Sequence, residues 1–189
     1  MLVVIAINVL LVTAITGSIT QIYKNNSYTL EQANEIEAAR RSIGIWVRDA
    51  REMTAGANGS YPVAILQDNK MGFYSDIDRD SNVEYVEYEL GSTTLTKKIF
   101  NPVGNPSVYS TTTPDSTEIL SIYVQNGLQN IPVFTYYNAA GTVLASPSAM
   151  LTDMRYIGMK VIVNIDPARS PGEFMLHASA APRNLKDNL

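Results

Sequence analysis

The chain of 189 residues has no cysteine, and several other residue types are scarce. Without thiols it has no disulfide framework, thiolate nucleophile or zinc–thiolate site. It has one histidine, His177, and no Gly-x-Ser-x-Gly elbow, phosphate-binding glycine loop or His-Glu-x-x-His motif. A net charge of -4 with scattered basic residues argues against a nucleic-acid partner. We therefore predict a non-enzymatic protein without a small-molecule substrate. A secreted or anchored hydrolase that uses His177 is the alternative from the enzyme class.

Charge is also absent from the first nineteen residues, where Asn8, Thr13, Thr16 and Ser18 interrupt an otherwise mostly apolar run. No basic residue precedes this run, unlike the charged start of a secretory signal peptide. Its length approaches the roughly 20 residues that span a bilayer. We expect the run to be hidden from water in a membrane or among identical helices. The residues predicted to make these membrane and assembly contacts are Leu2, Val3, Val4, Ile5, Ile7, Val9, Leu10, Leu11, Val12 and Ile15.

Proline is absent from Met1 to Ser60, so nothing breaks a helix there. Apolar residues continue at steps of three to four, which predicts a helix with one buried face. This stripe consists of Ala33, Ile36, Ala39, Ile43, Val47 and Ala50, with Trp46 and Met53 along a second edge. One helix is predicted from Met1 to about Met53, ended by the glycines that follow. Residues 1–23 form its apolar half, and residues 24–54 form an amphipathic half that belongs to a globular domain of residues 24–189.

The composition of the rest of the chain is typical of antiparallel strands. The whole chain has eleven tyrosines, and turn residues recur frequently after residue 59. The predicted strands are 61–66, 72–75, 83–90, 93–100, 118–125, 133–137, 156–165 and 174–180, with a loop or flap over 101–115. The fold class is therefore α+β. The C-terminal half of the helix should pack on one face of an antiparallel sheet that spans residues 60–183.

The opening Met1-Leu2-Val3-Val4-Ile5-Ala6-Ile7 resembles the start of type IV pilins and of type II secretion pseudopilins. Those proteins enter the helix through Phe-Thr-Leu-(Ile/Val)-Glu and continue with a Leu-Val-Val-Ile-Ala-Ile segment. The layout, a long helix followed by a small antiparallel sheet, is similar as well. So is the ending Ala181–Leu189, which resembles the tails of pilin-like minor subunits.

The resemblance places the peptidase-site glycine, the methylated first residue and the glutamate of the family before Met1. We expect that the sequence lacks its first few residues, with Met1 following the glutamate. The alternative is a true departure from the family, which would put normal processing and the assembly step that uses the glutamate in doubt.

The segment Asp76 to Glu87 has the spacing of a calcium-binding loop. Oxygen ligands would come from Asp76, Asp78, Asp80, Asn82 and Glu87. Ser81 stands where such a loop has glycine, and the flanks are predicted strands rather than helices. The alternative is an acidic turn whose side chains cap local backbone amides. Ca²⁺ is thus the one cofactor that the sequence suggests.

Charged residues of both signs share the second half of the helix. Arg40, Arg41 and Arg48 alternate with acidic residues such as Glu37 and Asp49. They could form a solvated face with pairs such as Glu37 with Arg41, each worth a few tenths of a kcal/mol. Alternatively, they form ion pairs between subunits of a fibre.

Together these observations predict a minor pilin or pseudopilin, a structural subunit of a type IV pilus or a related secretion filament. Its partners would be membrane lipid and then other subunits. Its location would be the bacterial cytoplasmic membrane, as a single-pass protein, and afterwards an extracellular or periplasmic filament. The alternative from the binding class is a membrane-anchored, calcium-dependent adhesin or binding module.

Overall fold

The computed structural model describes every residue except Ser81, Thr111, Ser146, Met150, Pro171 and Lys186–Leu189. The helix α1 runs without interruption over Leu2–Arg51, which confirms the single long helix. The chain divides into two compact units, Met1–Asn34 and Glu35–Leu189. The first unit is entirely helical from Leu2 onward. The second contains the rest of α1 and all the strands.

Among the described residues, eight strands follow the helix, and their predicted positions are confirmed with shifts at their ends. They are β1 (Val63–Leu66), β2 (Lys70–Ser75), β3 (Glu84–Leu90), β4 (Leu95–Phe100), β5 (Ser116–Ser121), β6 (Phe134–Tyr137), β7 (Tyr156–Val163) and β8 (Phe174–Ala180). Short 3-10 helices occupy Pro147–Ala149, Leu151–Asp153 and Arg183–Leu185. These strands pair with one another in antiparallel orientation throughout the part of the chain that the structure describes. The fold class is α+β, as predicted.

The strands form two sheets rather than the one sheet that the sequence suggested. A five-stranded sheet has the order β1-β2-β3-β4-β5, and a three-stranded sheet has the order β6-β7-β8. The difference arises after Ser121, where the predicted strand 118–125 breaks. Val124 still donates its N–H to the carbonyl of Thr93, just before β4, and also forms a bridge with Val163, at the end of β7. Hydrophobicity alone does not distinguish a strand that continues from one that changes partner.

Asn126 stabilises this change of partner. It is fully buried, and its side-chain amide donates to the carbonyl of Lys160 at 2.9 Å. Its Oδ1 accepts from the backbone N–H of Ile162 at 2.8 Å. The Asn126 side chain therefore supplies hydrogen-bond partners that these backbone groups of β7 would otherwise lack.

The main core lies between the second half of α1 and the two sheets. Ala39, Trp46 and Ala50 are completely buried on the helix, as their spacing predicted. The Trp46 ring lies 6.2 Å from that of Phe134, which belongs to the smaller sheet. Met53, just after the helix, is also buried and forms a bridge with β2. Helical periodicity thus identified the packed face of α1 from Ala39 onward, whereas Ala33, at the start of the predicted stripe, is exposed.

A second, smaller cluster lies on the outer face of the larger sheet. It consists of Tyr74, Tyr85, Phe100 and Tyr109. Tyr109 comes from the predicted 101–115 flap, and its hydroxyl donates to the carbonyl of Val83 at 2.6 Å. The same hydroxyl accepts from the N–H of Ala57 at 2.9 Å. This loop is therefore anchored to the sheet by a buried aromatic ring.

Candidate functional site

The apolar half of α1 exposes its hydrophobic side chains to solvent. All ten residues predicted to contact membrane or neighbouring subunits are more than half exposed. The helix is long and apolar enough to cross a bilayer, and the apolar part contributes nothing to a core. A length and composition of this kind also fit a signal sequence near the N-terminus. The chain therefore combines an N-terminal helix that could be a membrane anchor with a globular β domain.

The polar residues within this run are satisfied by the helix itself. Asn8 Nδ2 donates to the carbonyl of Val4, and Thr16 Oγ1 donates to that of Val12. Thr13 Oγ1 bonds in the same way to the carbonyl of Val9. Each distance is between 2.8 and 2.9 Å. Because these groups have partners four residues back along the helix, they do not need water and add little cost to burial in lipid.

The exposed charged residues of α1 form weak ion pairs. Glu37 pairs with Arg40 at 3.1 Å rather than with Arg41 as expected, and both side chains are about 60% exposed. Just after the helix, Glu52 pairs with Arg79 at 3.8 Å. Exposed pairs of this kind contribute little to stability. The basic side chains are therefore accessible for contacts with other molecules.

Asp49 was expected on the solvated face of the helix, but its side chain is buried. Its Oδ2 accepts from Lys97 Nζ at 2.5 Å and from the Tyr88 hydroxyl at 2.7 Å. Its Oδ1 lies 3.1 Å from Arg48 Nη2. Burial, followed by the nearby Asp49 charge, raises the pKa of Tyr88 well above its ordinary value. The signal was present in the spacing, because Asp49 lies three residues after Trp46 on the buried stripe.

The acidic segment between β2 and β3 forms a turn whose side chains cap its own backbone. Asp76 Oδ1 accepts from the N–H of Arg79 at 2.7 Å, and Arg79 has a φ of 64°. Asp80 Oδ1 accepts from the N–H of Asn82 at 2.8 Å. The hydrogen bonds from the backbone and then the side chain of Asn82 lower the pKa of Asp80. This geometry is that of the capped acidic turn considered as the alternative to a calcium loop.

The same turn brings together three carboxylates. Oxygen atoms of Asp76, Asp78 and Glu84 all lie within 4.8 Å of one another, and this cluster could bind a metal such as Ca²⁺. Glu84 is almost completely buried and accepts from the N–H of Ile77 at 2.9 Å. Burial, and then the charges of Asp78 and Asp80, raise the pKa of Glu84.

The other three residues of the predicted calcium loop, Asp80, Asn82 and Glu87, are not part of this carboxylate cluster. Glu87 points to the outer face of the sheet, where it accepts from the Tyr85 hydroxyl at 2.9 Å and pairs with Lys70. Asn82 donates its side-chain amide to Asp80. Glu84, which the sequence pattern omitted, joins the cluster instead. In a strand the side chains alternate, so Glu84 and Glu87 lie on opposite faces of β3.

His177 lies on β8 with its side chain exposed. Lys160 is its direct cross-strand neighbour on β7. A shallow depression of about 380 Å³ adjoins them on the outer face of the smaller sheet, where Gly158 has no side chain. No acidic side chain lines this depression within the described part of the chain. A hydrolytic arrangement around His177 therefore gains no support from its surroundings.

Comparison with known proteins adds no family to these observations. No protein-family model matches the chain, and no curated protein matches it significantly. The architecture itself, a long apolar N-terminal helix whose second half packs against antiparallel sheets, is consistent with pilin-like folds.

Proposed function

We propose that this protein is a structural subunit of a filament, of the minor pilin or pseudopilin kind, anchored in a membrane before assembly. One observation carries the proposal: the exposed apolar half of α1 continues without a break into the half that packs on the sheets. A helix used only as a cleavable signal has no reason to be continuous with the core helix of the folded domain. The pilin-like opening sequence supports the same assignment.

The apolar side chains would have partners both before assembly, in the membrane, and after assembly, in the filament. In the membrane, they contact lipid. In a filament, they would contact the same segment of neighbouring copies, so the transfer does not expose them to water. The location would be the bacterial cytoplasmic membrane and then an extracellular or periplasmic filament. No catalytic step is part of this function.

Membrane anchoring can be tested by one charge in the apolar run. Leu10→Arg places a charge within the run, at a cost of about 2.5–3.5 kcal/mol if that position lies near the bilayer centre. We expect most of the protein to leave the membrane fraction. Leu30→Arg is the matched control, because it makes the same change on the same helix beyond the apolar run. Unmodified protein that is monomeric in detergent-free buffer would contradict the proposal.

Assembly can be separated from folding by the exposed arginines. Reversing the charge of Arg40 and Arg41 should change the melting temperature of the full chain by little, since exposed ion pairs stabilise weakly. Filament formation or secretion in cells should fall if these side chains contact other subunits. A large loss of melting temperature with normal assembly would show that this face serves folding instead.

A second candidate function, a calcium-dependent binding module on a membrane anchor, is favoured by the Asp76, Asp78 and Glu84 cluster. If the cluster binds Ca²⁺, millimolar calcium should raise the melting temperature, because a ligand of the folded state stabilises it. Asp78→Asn should abolish the rise, whereas Asp153→Asn, an exposed carboxylate outside the cluster, should not. The absence of any shift at several millimolar calcium would leave the capped acidic turn as the complete account.

A further inference from the structure

The two sheets have four edges, and other parts of the chain lie beside three of them. The 3-10 helices Pro147–Ala149 and Leu151–Asp153 lie close to β1. At β5, Ser42 Oγ donates to the carbonyl of Leu120, and Glu35 accepts from the N–H of Ile122. On β6, the carbonyl of Tyr136 accepts from the N–H of Leu144. The backbone groups of β8, by contrast, bond only to β7 among the described residues.

The hydrogen bonds of β7 identify which groups of β8 are free. The N–H of Lys160 donates to the carbonyl of Val133, and the carbonyl of Ile162 accepts from the N–H of Gln125. The backbone N–H and C=O groups of the even-numbered residues of β7 therefore point away from β8. Odd-numbered residues of β7 therefore bond β8, and the register pairs them with its even-numbered residues. The N–H and C=O groups of Met175, His177 and Ser179 consequently point outward.

The β8 sequence lacks the features that normally protect an open edge. Phe-Met-Leu-His-Ala-Ser-Ala contains no Lys, Arg, Asp, Glu or Pro. Natural edge strands usually carry charges, prolines or bulges that prevent pairing with another chain. Phe174 and Met175 are moreover 41% and 50% exposed. Such an edge is suited to the addition of another strand.

The sequence of β8 indicates which strand would pair with it. In an antiparallel pair of two β8 strands centred on His177, that residue would face its own copy, and every other large residue would face a small one. Phe174 would face Ala180, Met175 would face Ser179, and Leu176 would face Ala178 of the other copy. The outward N–H and C=O groups of Met175, His177 and Ser179 would bond to those of Ser179, His177 and Met175, respectively, in the other copy. A two-fold contact requires self-complementarity of this kind.

We propose that β8 is a docking edge for β8 of a second copy of this chain, which joins two three-stranded sheets across a two-fold axis at His177. The contact involves only the globular part. It is therefore independent of the membrane-anchor proposal, and either can fail while the other stands. A two-fold contact would link copies within a dimer or on neighbouring filaments rather than extend one filament.

The absence of cysteine makes the test direct. In the full chain, dispersed in a large excess of detergent micelles, His177→Cys is treated with a short bis-maleimide. We expect a covalent dimer whose yield rises with protein concentration. Thr135→Cys, on the same face of the sheet but on β6, should give at most a tenth of that yield. Equal yields from the two variants would overturn the proposal.

A second pair of variants tests strand pairing rather than mere proximity. Adding Met175→Glu to His177→Cys should lower the dimer yield about tenfold, because a charged side chain on an edge strand opposes its pairing with another strand. Thr135→Glu in the same background should leave the yield unchanged. Trp46 fluorescence verifies that each variant is folded. If Met175→Glu does not fold, Ser179→Lys replaces it, and an undiminished yield from either folded variant would refute β8 pairing.

Discussion

The buried ion pair between Asp49 and Lys97 allows the sharpest test of how the helix is held on the larger sheet. Their side chains are 1% and 5% exposed, and the charged atoms are 2.5 Å apart. Asp49→Ala would leave the ammonium of Lys97 buried without its counter-charge and the Tyr88 hydroxyl without its acceptor. Breaking such a pair costs about 3–5 kcal/mol, and the lost hydroxyl bond costs about 1–3 kcal/mol more.

The two costs overlap, so we expect a loss of about 4–6 kcal/mol from a total stability of about 5–15 kcal/mol. Lys97→Met should cost less, because Asp49 then keeps the Tyr88 hydroxyl and the Arg48 guanidinium. Replacing both partners, as Asp49→Leu with Lys97→Met, should recover most of the loss, since no charge is then left buried alone. This ordering, rather than any single value, is the prediction.

Urea unfolding of the full chain in detergent provides the measurement. Trp46 is the only tryptophan and is fully buried at the helix–sheet interface, so its fluorescence reports on this interface. A double-mutant cycle then isolates the interaction of the pair. If Asp49→Ala costs less than about 1 kcal/mol, or if the double variant is less stable than both single ones, the reasoning is wrong.

Two further predictions concern the sheets. Gly72→Ala should lower the free energy of unfolding by about 1–3 kcal/mol, because the new methyl carbon would lie 2.3 Å from the Tyr85 hydroxyl oxygen. Adding Tyr85→Phe should restore part of this loss, as measured by thermal melting. No restoration would contradict the steric account. Asn126→Ala should cost about 2–4 kcal/mol in urea unfolding, since backbone groups at Lys160 and Ile162 lose buried partners. Asn69→Ala, at an exposed position between β1 and β2, should cost under about 1 kcal/mol.

The predictability of the acidic turn from sequence had a clear limit. Spacing alone identified Asp76 and Asp78 as neighbours, because residues two apart in a turn are close whatever the rest of the chain does. Glu84 enters the cluster only because β3 begins there and points its side chain to the helix side of the sheet. The choice between Glu84 and Glu87 depended on the register of β2 with β3, which the spacing of acidic residues does not contain.

The sequence by itself determined the elements: the apolar run, the proline-free helix and the alternating strands. Each depends on periodicity over a few neighbouring residues, and that periodicity is a local property of the chain. Only the tertiary structure decided that the strands divide into two sheets, that Asp49 is buried against Lys97 and that β8 is left as an open edge. These outcomes depend on pairings between residues far apart in the chain, where the hydrogen bonds and charges of one element are satisfied by another.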